Sequence, residues 1–170
     1  DIHSRHEAMD VVLNIAGISA WGTVSTLTHQ HWRSMVDVNL MGPIHVIETM
    51  VPPMVAAGRG GRLANVSSAA GIVALPWHAA YSASKFGVRG LSESLRAEVA
   101  DLPNVHICDV APTVVDTPGL AHGANYTGRR LRMPLPMLDP RRVAQAIVAL
   151  AYSPHPKPVT WIGAGALPSR

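Results

Sequence analysis

A chain of 170 residues, 48% apolar and 15% charged, is long enough for one folded core and too apolar for a disordered segment. Its net charge of +3 comes from scattered arginines; the densest cluster, Arg129, Arg130 and Arg132, has no interleaved aromatic and reads as a solvated loop or, less favoured, an anionic-substrate contact, so nucleic acid is not an expected partner. The lone Cys108 excludes an internal disulfide, no stretch reaches the ~18–20 apolar residues of a spanning helix, and Asp1 to Asp10 lack the apolar centre of a signal peptide, so a cytoplasmic location is expected.

Along the chain, Ile2 to Met9 suit the tail of a helix. Asp10 to Ile15 is a short apolar run ending at Ala16-Gly17, the pattern of a buried strand. Thr28 can cap a long helix reaching about Ala57, with bends or breaks expected at Gly42-Pro43 and Pro52-Pro53. Arg62 to Ser67 is a second strand. Ala79 to Ala100 is a helix, with Phe86, Val88, Leu91, Leu95 and Val99 near helical spacing. Val105 to Ala111 is a third strand, which makes Cys108 a buried, inert thiol.

The stretch from Pro112 to Leu138 has no period and is long for a structureless connection, which suggests a functional loop. Asp139 can cap a helix that begins with Pro140 and ends near Tyr152. Pro158 to Ile162 is a last strand. Alternating strands and helices imply a doubly wound α/β fold, a parallel sheet covered on both faces. No internal domain boundary is visible, so residues 1–170 read as one domain.

Two segments carry chemistry. In Tyr81-Ser-Ala-Ser-Lys85 the phenol and the amine lie one helical turn apart, on one face. A nearby ammonium stabilises phenolate and lowers an ordinary pKa near 10. The alternative is a surface pair. Of 14 basic residues only Lys85 and Lys157 are lysine, which suggests that an ammonium matters at position 85. Asn65-Val-Ser-Ser68-Ala-Ala-Gly71 follows a strand and puts Ser68 at its carboxyl end, where open parallel sheets hold ligands. Ser68, Tyr81 and Lys85 could therefore converge. Among the histidines, His3 and His6, or His29 and His31, lack a partner pair at ligand spacing, so no metal is expected.

These segments resemble the short-chain dehydrogenase/reductase family, in which a Ser, a Tyr and a Lys occur with this spacing. Asn14-Ile-Ala-Gly17 resembles the family's Asn-Asn-Ala-Gly segment, with Ile15 for the second Asn. Asn39-Leu-Met-Gly42 matches the segment of its fourth catalytic residue. Pro112-Thr-Val-Val-Asp-Thr117 resembles its cofactor loop, with Thr113 where Gly is usual. The matches fall in family order and cover nearly the whole chain.

The resemblance implies a Rossmann-like three-layer αβα domain and an NAD(P)-dependent oxidoreductase that interconverts a secondary alcohol and a ketone or aldehyde. Tyr81 would be the acid-base group, Ser68 a hydrogen-bond donor to the substrate oxygen and Lys85 the group that tunes Tyr81 and holds the nicotinamide ribose. Asn39 would hold a water on the route from Lys85 to solvent; its other reading is a helix-bend residue. Asn14, Ala16 and Gly17, with Tyr81, Lys85, Pro112, Val115 and Thr117, would line the cofactor, NAD or NADP. Trp77, His78 and His122, with Trp21, would line the substrate pocket, or the Trp and His side chains would pack in the core or an interface. Segment 118–138 would act as a lid over a small-molecule substrate. Helices 28–57 and 79–100 would pair in a homodimer or homotetramer.

The family's Gly-rich turn does not precede Asp10. The expectation is a chain holding the C-terminal two-thirds of the domain, without its first strands, and an apolar edge exposed at Asp10 to Ile15. Such a chain is expected to be less stable and to bind dinucleotide poorly or not at all, so the principal alternative is a non-catalytic binding or regulatory module on this fold, or an inactive fragment, because the cofactor-binding segment is absent; an isomerase or epimerase with the same Tyr and cofactor is a third.

Overall fold

The structure, a computed structural model, describes residues 7–133 and 135–163. Strands β1 (Val11–Asn14), β3 (Gly61–Val66), β4 (Val105–Pro112) and β6 (Val159–Ile162) form one parallel sheet in that order. The predicted strands are all present, within a residue or so at each end. Of the helix tail expected at Ile2 to Met9, residues 2–6 lie outside the described residues, and Glu7 to Met9 are not helical.

Side chains alternate across the sheet. Leu63 and Ile107 face Ile47 and Val51 of α2 (Gly42–Ala56) and Leu91 and Leu95 of α3 (Ala79–Glu98). Ala64, Cys108 and Val110 face Ile147 and Leu150 of α5 (Pro140–Tyr152) on the opposite side. The result is the expected Rossmann-like helix–sheet–helix sandwich. Cys108 is buried, and burial pushes its thiol up to about 11, which keeps it inert. Val11 and Leu13 of the end strand β1 are exposed, the apolar edge expected there.

The helix predicted from Thr28 to Ala57 is continuous but not uniform. Thr28 caps α1 (His29–Val36), accepting from the His31 N–H while the His31 ring accepts from the Thr28 N–H. A π-helical turn, Asp37–Met41, follows before α2. Gly42 N–H reaches back five residues to the Asp37 carbonyl. Pro43 has no N–H to donate, and the widened turn absorbs it without ending the helix. Within α3 the apolar pattern misleads at one position: Val88 is buried, whereas Phe86 is exposed.

Segment 112–138 is less irregular than its composition suggests. It holds a short helix, α4 (Pro118–Ala121), and strand β5 (Ala124–Asn125), which pairs in parallel with β2 (Ala20–Trp21). Val115 bridges to Leu138. Two-residue strands carry no usable hydrophobic period, so β2 and β5 left no mark in the sequence. Asp139 caps α5 as expected, accepting from the Arg141 N–H at 2.8 Å. Among the described residues no helix is long and apolar enough to cross a membrane.

Candidate active site

The carboxyl ends of β1, β3 and β4 lie together because the strands are parallel and in register, Asn14 beside Asn65 and Val66 beside Val110. Open sheets of this kind present a ligand crevice there. Ser68 follows β3 in extended conformation and accepts from the Ala70 N–H at 3.1 Å, which starts the tight turn Ala69–Gly71. A Cβ at Gly71 would stand 2.8 Å from the Lys85 carbonyl oxygen. Only glycine lets this turn press onto α3, and that approach brings Ser68 to the helix's first turns.

Tyr81 and Lys85 lie on that helix, one turn apart. The Ser68 hydroxyl is near enough to the Tyr81 phenol to favour its ionised form. The Lys85 Nζ lies over the Tyr81 ring, 5.7 Å from its centroid. The three predicted groups therefore converge. The electrostatics differ from the expectation. Burial raises the Tyr81 pKa above its ordinary value, and the Ser68 hydroxyl only partly opposes it. Burial also lowers Lys85 to about 8. The ammonium points not at the phenol oxygen but at the Val66 carbonyl, to which it donates at 2.9 Å. Desolvation is thus the larger influence on Tyr81, which rests as a neutral phenol.

Asn39 sits in the π-helical turn, fully buried. Its Oδ1 accepts from the Ile18 N–H at 2.8 Å, while Nδ2 donates to the Ile18 carbonyl at 2.9 Å and to Ser84 Oγ at 3.1 Å. Both amide protons are committed, so any water held by this side chain must use Oδ1 alone. The π turn is what turns the amide towards the loop after β1. A Cβ at Gly17 would meet Asn39 Oδ1 at 3.4 Å and Lys85 Nζ at 3.6 Å, so glycine keeps that corner of the crevice open.

The other predicted cofactor residues divide. Asn14 donates to Asn65 at 3.2 Å, and Asn65 donates to Ser92 at 3.0 Å, beneath α3. The Asn14 side chain thus joins a buried polar row that continues to Asp109, the β4 partner of Asn65. Asp109 pairs with Arg96 at 3.2 Å. Burial raises the Asp109 pKa against the pull of Ser92 and Arg96. Ala16 lies between Asn14 and Gly17, in the loop beyond β1. Pro112 ends β4 at the crevice. Val115 packs towards the core between the sheet and α5. Thr117 precedes α4 in extended conformation.

The substrate candidates differ in exposure and contacts. His78 is not an open pocket wall: it is 5% exposed and lies flat between Trp21, at 3.7 Å between centroids, and Tyr81, at 4.3 Å. Trp77 is half-exposed with φ 60, a left-handed backbone that costs a bulky residue about 1–2 kcal/mol. Its carbonyl accepts from the Gly22 N–H at 2.8 Å. His122 follows α4 and is exposed; among the described residues no hydrogen bond or ring contact joins it to Tyr81. Tyr126 instead stacks on His31 at 4.4 Å. Ser19, which hydrogen-bonds His78, and Ser84, which accepts from Asn39, have a sequence context that gives no signal of these contacts. Among the described residues no group of three or more His, Cys, Asp or Glu side chains could hold a metal ion.

A Rossmann-like sheet with Ser, Tyr and Lys meeting at its carboxyl edge defines a dehydrogenase-type scaffold. The family model described as short chain dehydrogenase matches residues 1–125, and the chain belongs to that family. It is 34% identical over 151 residues to a 3-oxoacyl-(acyl-carrier-protein) reductase of Thermotoga maritima, covering 86% of this chain and 60% of that protein. It is 36% identical over 110 residues to an uncharacterized NAD-dependent oxidoreductase of Mycobacterium tuberculosis, covering 65% of this chain and 40% of that protein. The crystal structure of a short-chain dehydrogenase from Streptomyces avermitilis superposes with a TM-score of 0.80 at 25% identity, covering 96% of this chain and 63% of that one. The chain thus spans 40–63% of the length of these relatives.

Proposed function

We propose that the protein is an NAD(P)-dependent oxidoreductase that interconverts a secondary alcohol and a ketone or aldehyde, with Tyr81 as acid and base. The observation that carries this reading is the meeting of the Ser68 hydroxyl, the Tyr81 phenol and the Lys85 ammonium at the carboxyl end of β3. The relatives' printed descriptions, an NAD-dependent oxidoreductase among them, support it.

The residues present fit a dinucleotide. Lys85 makes one hydrogen bond among the described residues and has protons left for ribose hydroxyls. Gly17 leaves room beside it, Pro112 ends β4 at the same edge of the sheet, and Ala16 and Thr117 are assigned to the dinucleotide by this reading. When bound, the nicotinamide supplies or accepts the hydride.

The protein's own part is proton handling and orientation. The phenol donates its proton to the carbonyl oxygen of the substrate. Ser68 donates a hydrogen bond to the same oxygen as negative charge grows there. Lys85, tied to the Val66 carbonyl, limits the charge that builds on Tyr81 as the proton leaves. Asn39 clamps the Ile18 backbone and so fixes the wall of the crevice beside Lys85. The neutral resting phenol can donate a proton in reduction, and oxidation would need it ionised. Segment 118–138 carries the substrate wall, and exposed Phe86 on α3 is consistent with self-association through that helix.

Titration with NADH and NADPH, followed by addition of simple ketones, tests the reading. In a version that also carries the family's Gly-rich turn, saturable binding and ketone-dependent loss of the reduced nicotinamide absorbance are expected, with weaker binding to residues 1–170 alone. Binding without consumption across a ketone and aldehyde panel would favour the binding-module alternative.

A further inference from the structure

We propose that His78 is a positioning residue for Tyr81: its ring, anchored by Ser19 and backed by Trp21, sets the plane in which the phenol meets the substrate. This deepens the assignment of Tyr81 as the acid-base group and rests on it.

His78 is the residue at which the chain enters α3, and its own side chain caps nothing there. The ring is instead laid parallel to Tyr81, with 10° between the planes and 4.3 Å between centroids. Trp21 covers its other face at 3.7 Å and 11°. The Ser19 hydroxyl lies 2.7 Å from Nε2 and fixes the ring's rotation. These three contacts leave the imidazole one orientation, and a flat ring held in one orientation holds the ring stacked on it. Tyr81 is then bounded on one face by His78 and approached by Ser68 and Lys85.

The backbone is bent to make this stack. Trp77 takes its left-handed conformation immediately before His78, and the Gly22 N–H holds the Trp77 carbonyl. Strain in a bulky residue persists where neighbouring structure enforces it, and such positions cluster at functional sites. Trp21 is itself tied to the substrate segment, since its carbonyl accepts from the Tyr126 N–H at 2.7 Å and β2 pairs with β5. The column Trp21–His78–Tyr81 thus connects the β2–β5 pair with Tyr81.

Chemistry favours the neutral imidazole. Among the described residues His78 Nδ1 is buried with no hydrogen-bond partner, so protonating the ring would bury a charge whose second N–H has no acceptor there. The side chains facing the ring are Ser19 and Trp21 from the segment after β1 and Tyr81 from α3; none is charged at neutral pH. Burial correspondingly lowers His78 to about 4. The ring acts as an oriented plate and not as a proton carrier.

The test compares His78→Ala, His78→Phe and Ser19→Ala. Each is read by the NMR resonance of Tyr81 in tyrosine-labelled protein, assigned by its loss in Tyr81→Phe, and by kcat and KM for ketone reduction. His78→Ala is expected to move the Tyr81 resonance and lower kcat by about tenfold to a hundredfold, with KM for the dinucleotide unchanged, as misorientation of a catalytic group does. His78→Phe, which keeps a flat ring, is expected to recover most of kcat. Ser19→Ala is expected to shift the same resonance by less, and it keeps the test decisive should His78→Ala fail to fold. An unmoved Tyr81 resonance and unchanged kcat in folded His78→Ala, or in Ser19→Ala where the former does not fold, would overturn the proposal. If Tyr81→Phe keeps full turnover, the acid-base assignment fails separately, and the resonance shift still reports whether His78 holds the ring.

Discussion

The Lys85 ammonium donates to the Val66 carbonyl at 2.9 Å while it lies 5.7 Å from the centroid of the Tyr81 ring. One cation thereby ties α3 to the end of β3 and stands beside the acid without pairing with its oxygen. The tie has a cost that pH can reveal. Lys85 is buried and lowered to about 8 from 10.5, so the folded state binds that proton less well than the unfolded state. The Lys85 contribution to stability should therefore rise with pH between about 8 and 10.5, by up to about 3 kcal/mol, while Cys108, lifted to about 11, and Tyr81, also raised, act in the opposite direction above about pH 9. Urea denaturation across this range checks it: Lys85→Met should remove the rise.

His78 gives a second window on the acid side. Its folded pKa of about 4, against 6.5, means that the unfolded chain takes up a proton that the folded one refuses. The contribution of neutral His78 is present above pH 6.5 and is lost as pH falls towards 4, by about 3 kcal/mol. Denaturation midpoints of the parent and His78→Phe should converge at neutral pH and diverge in this interval, with the variant less acid-sensitive.

The raised Tyr81 pKa sets a direction for catalysis. The proton is held at neutral pH, so carbonyl reduction finds its acid ready. Alcohol oxidation needs the ionised phenol, and its kcat/KM should climb with pH. In the protein without dinucleotide, Tyr81 should titrate above free tyrosine, measured by NMR of labelled tyrosine with Tyr81→Phe as reference.

Asn39 should prove a structural keystone as much as a site residue. Asn39→Leu removes three hydrogen bonds, leaving the Ile18 N–H and carbonyl and the Ser84 hydroxyl without this partner. A loss of about 2–5 kcal/mol is expected for several orphaned groups in a buried site. Faster exchange of the Ile18 amide proton should accompany it.

Much of this was readable from residue order. Alternating apolar strands and helices specified the parallel sheet, and Thr28 and Asp139 announced their helices because a short oxygen-bearing side chain can satisfy the first free N–H groups. Ser68, Tyr81 and Lys85 were legible because one helical turn and a strand end fix where they point. The π turn at Asn39 was hidden, since it arises from how Pro43 is accommodated and not from a pattern. The sign of the Tyr81 shift was hidden too: spacing reveals which groups approach, whereas burial decides which charge survives. His78 could be seen as a residue near the site, but its stack depends on Trp21 and Ser19, some sixty residues away in the chain.

The most direct test of the central claim is the turnover of Tyr81→Phe in ketone reduction with dinucleotide binding measured alongside. The variant keeps the ring in its stack and removes only the hydroxyl that donates the proton. A fall in kcat of about a hundredfold to ten-thousandfold, with dinucleotide affinity unchanged, is expected. Full turnover in Tyr81→Phe would contradict the account, because the proton would then come from some other group.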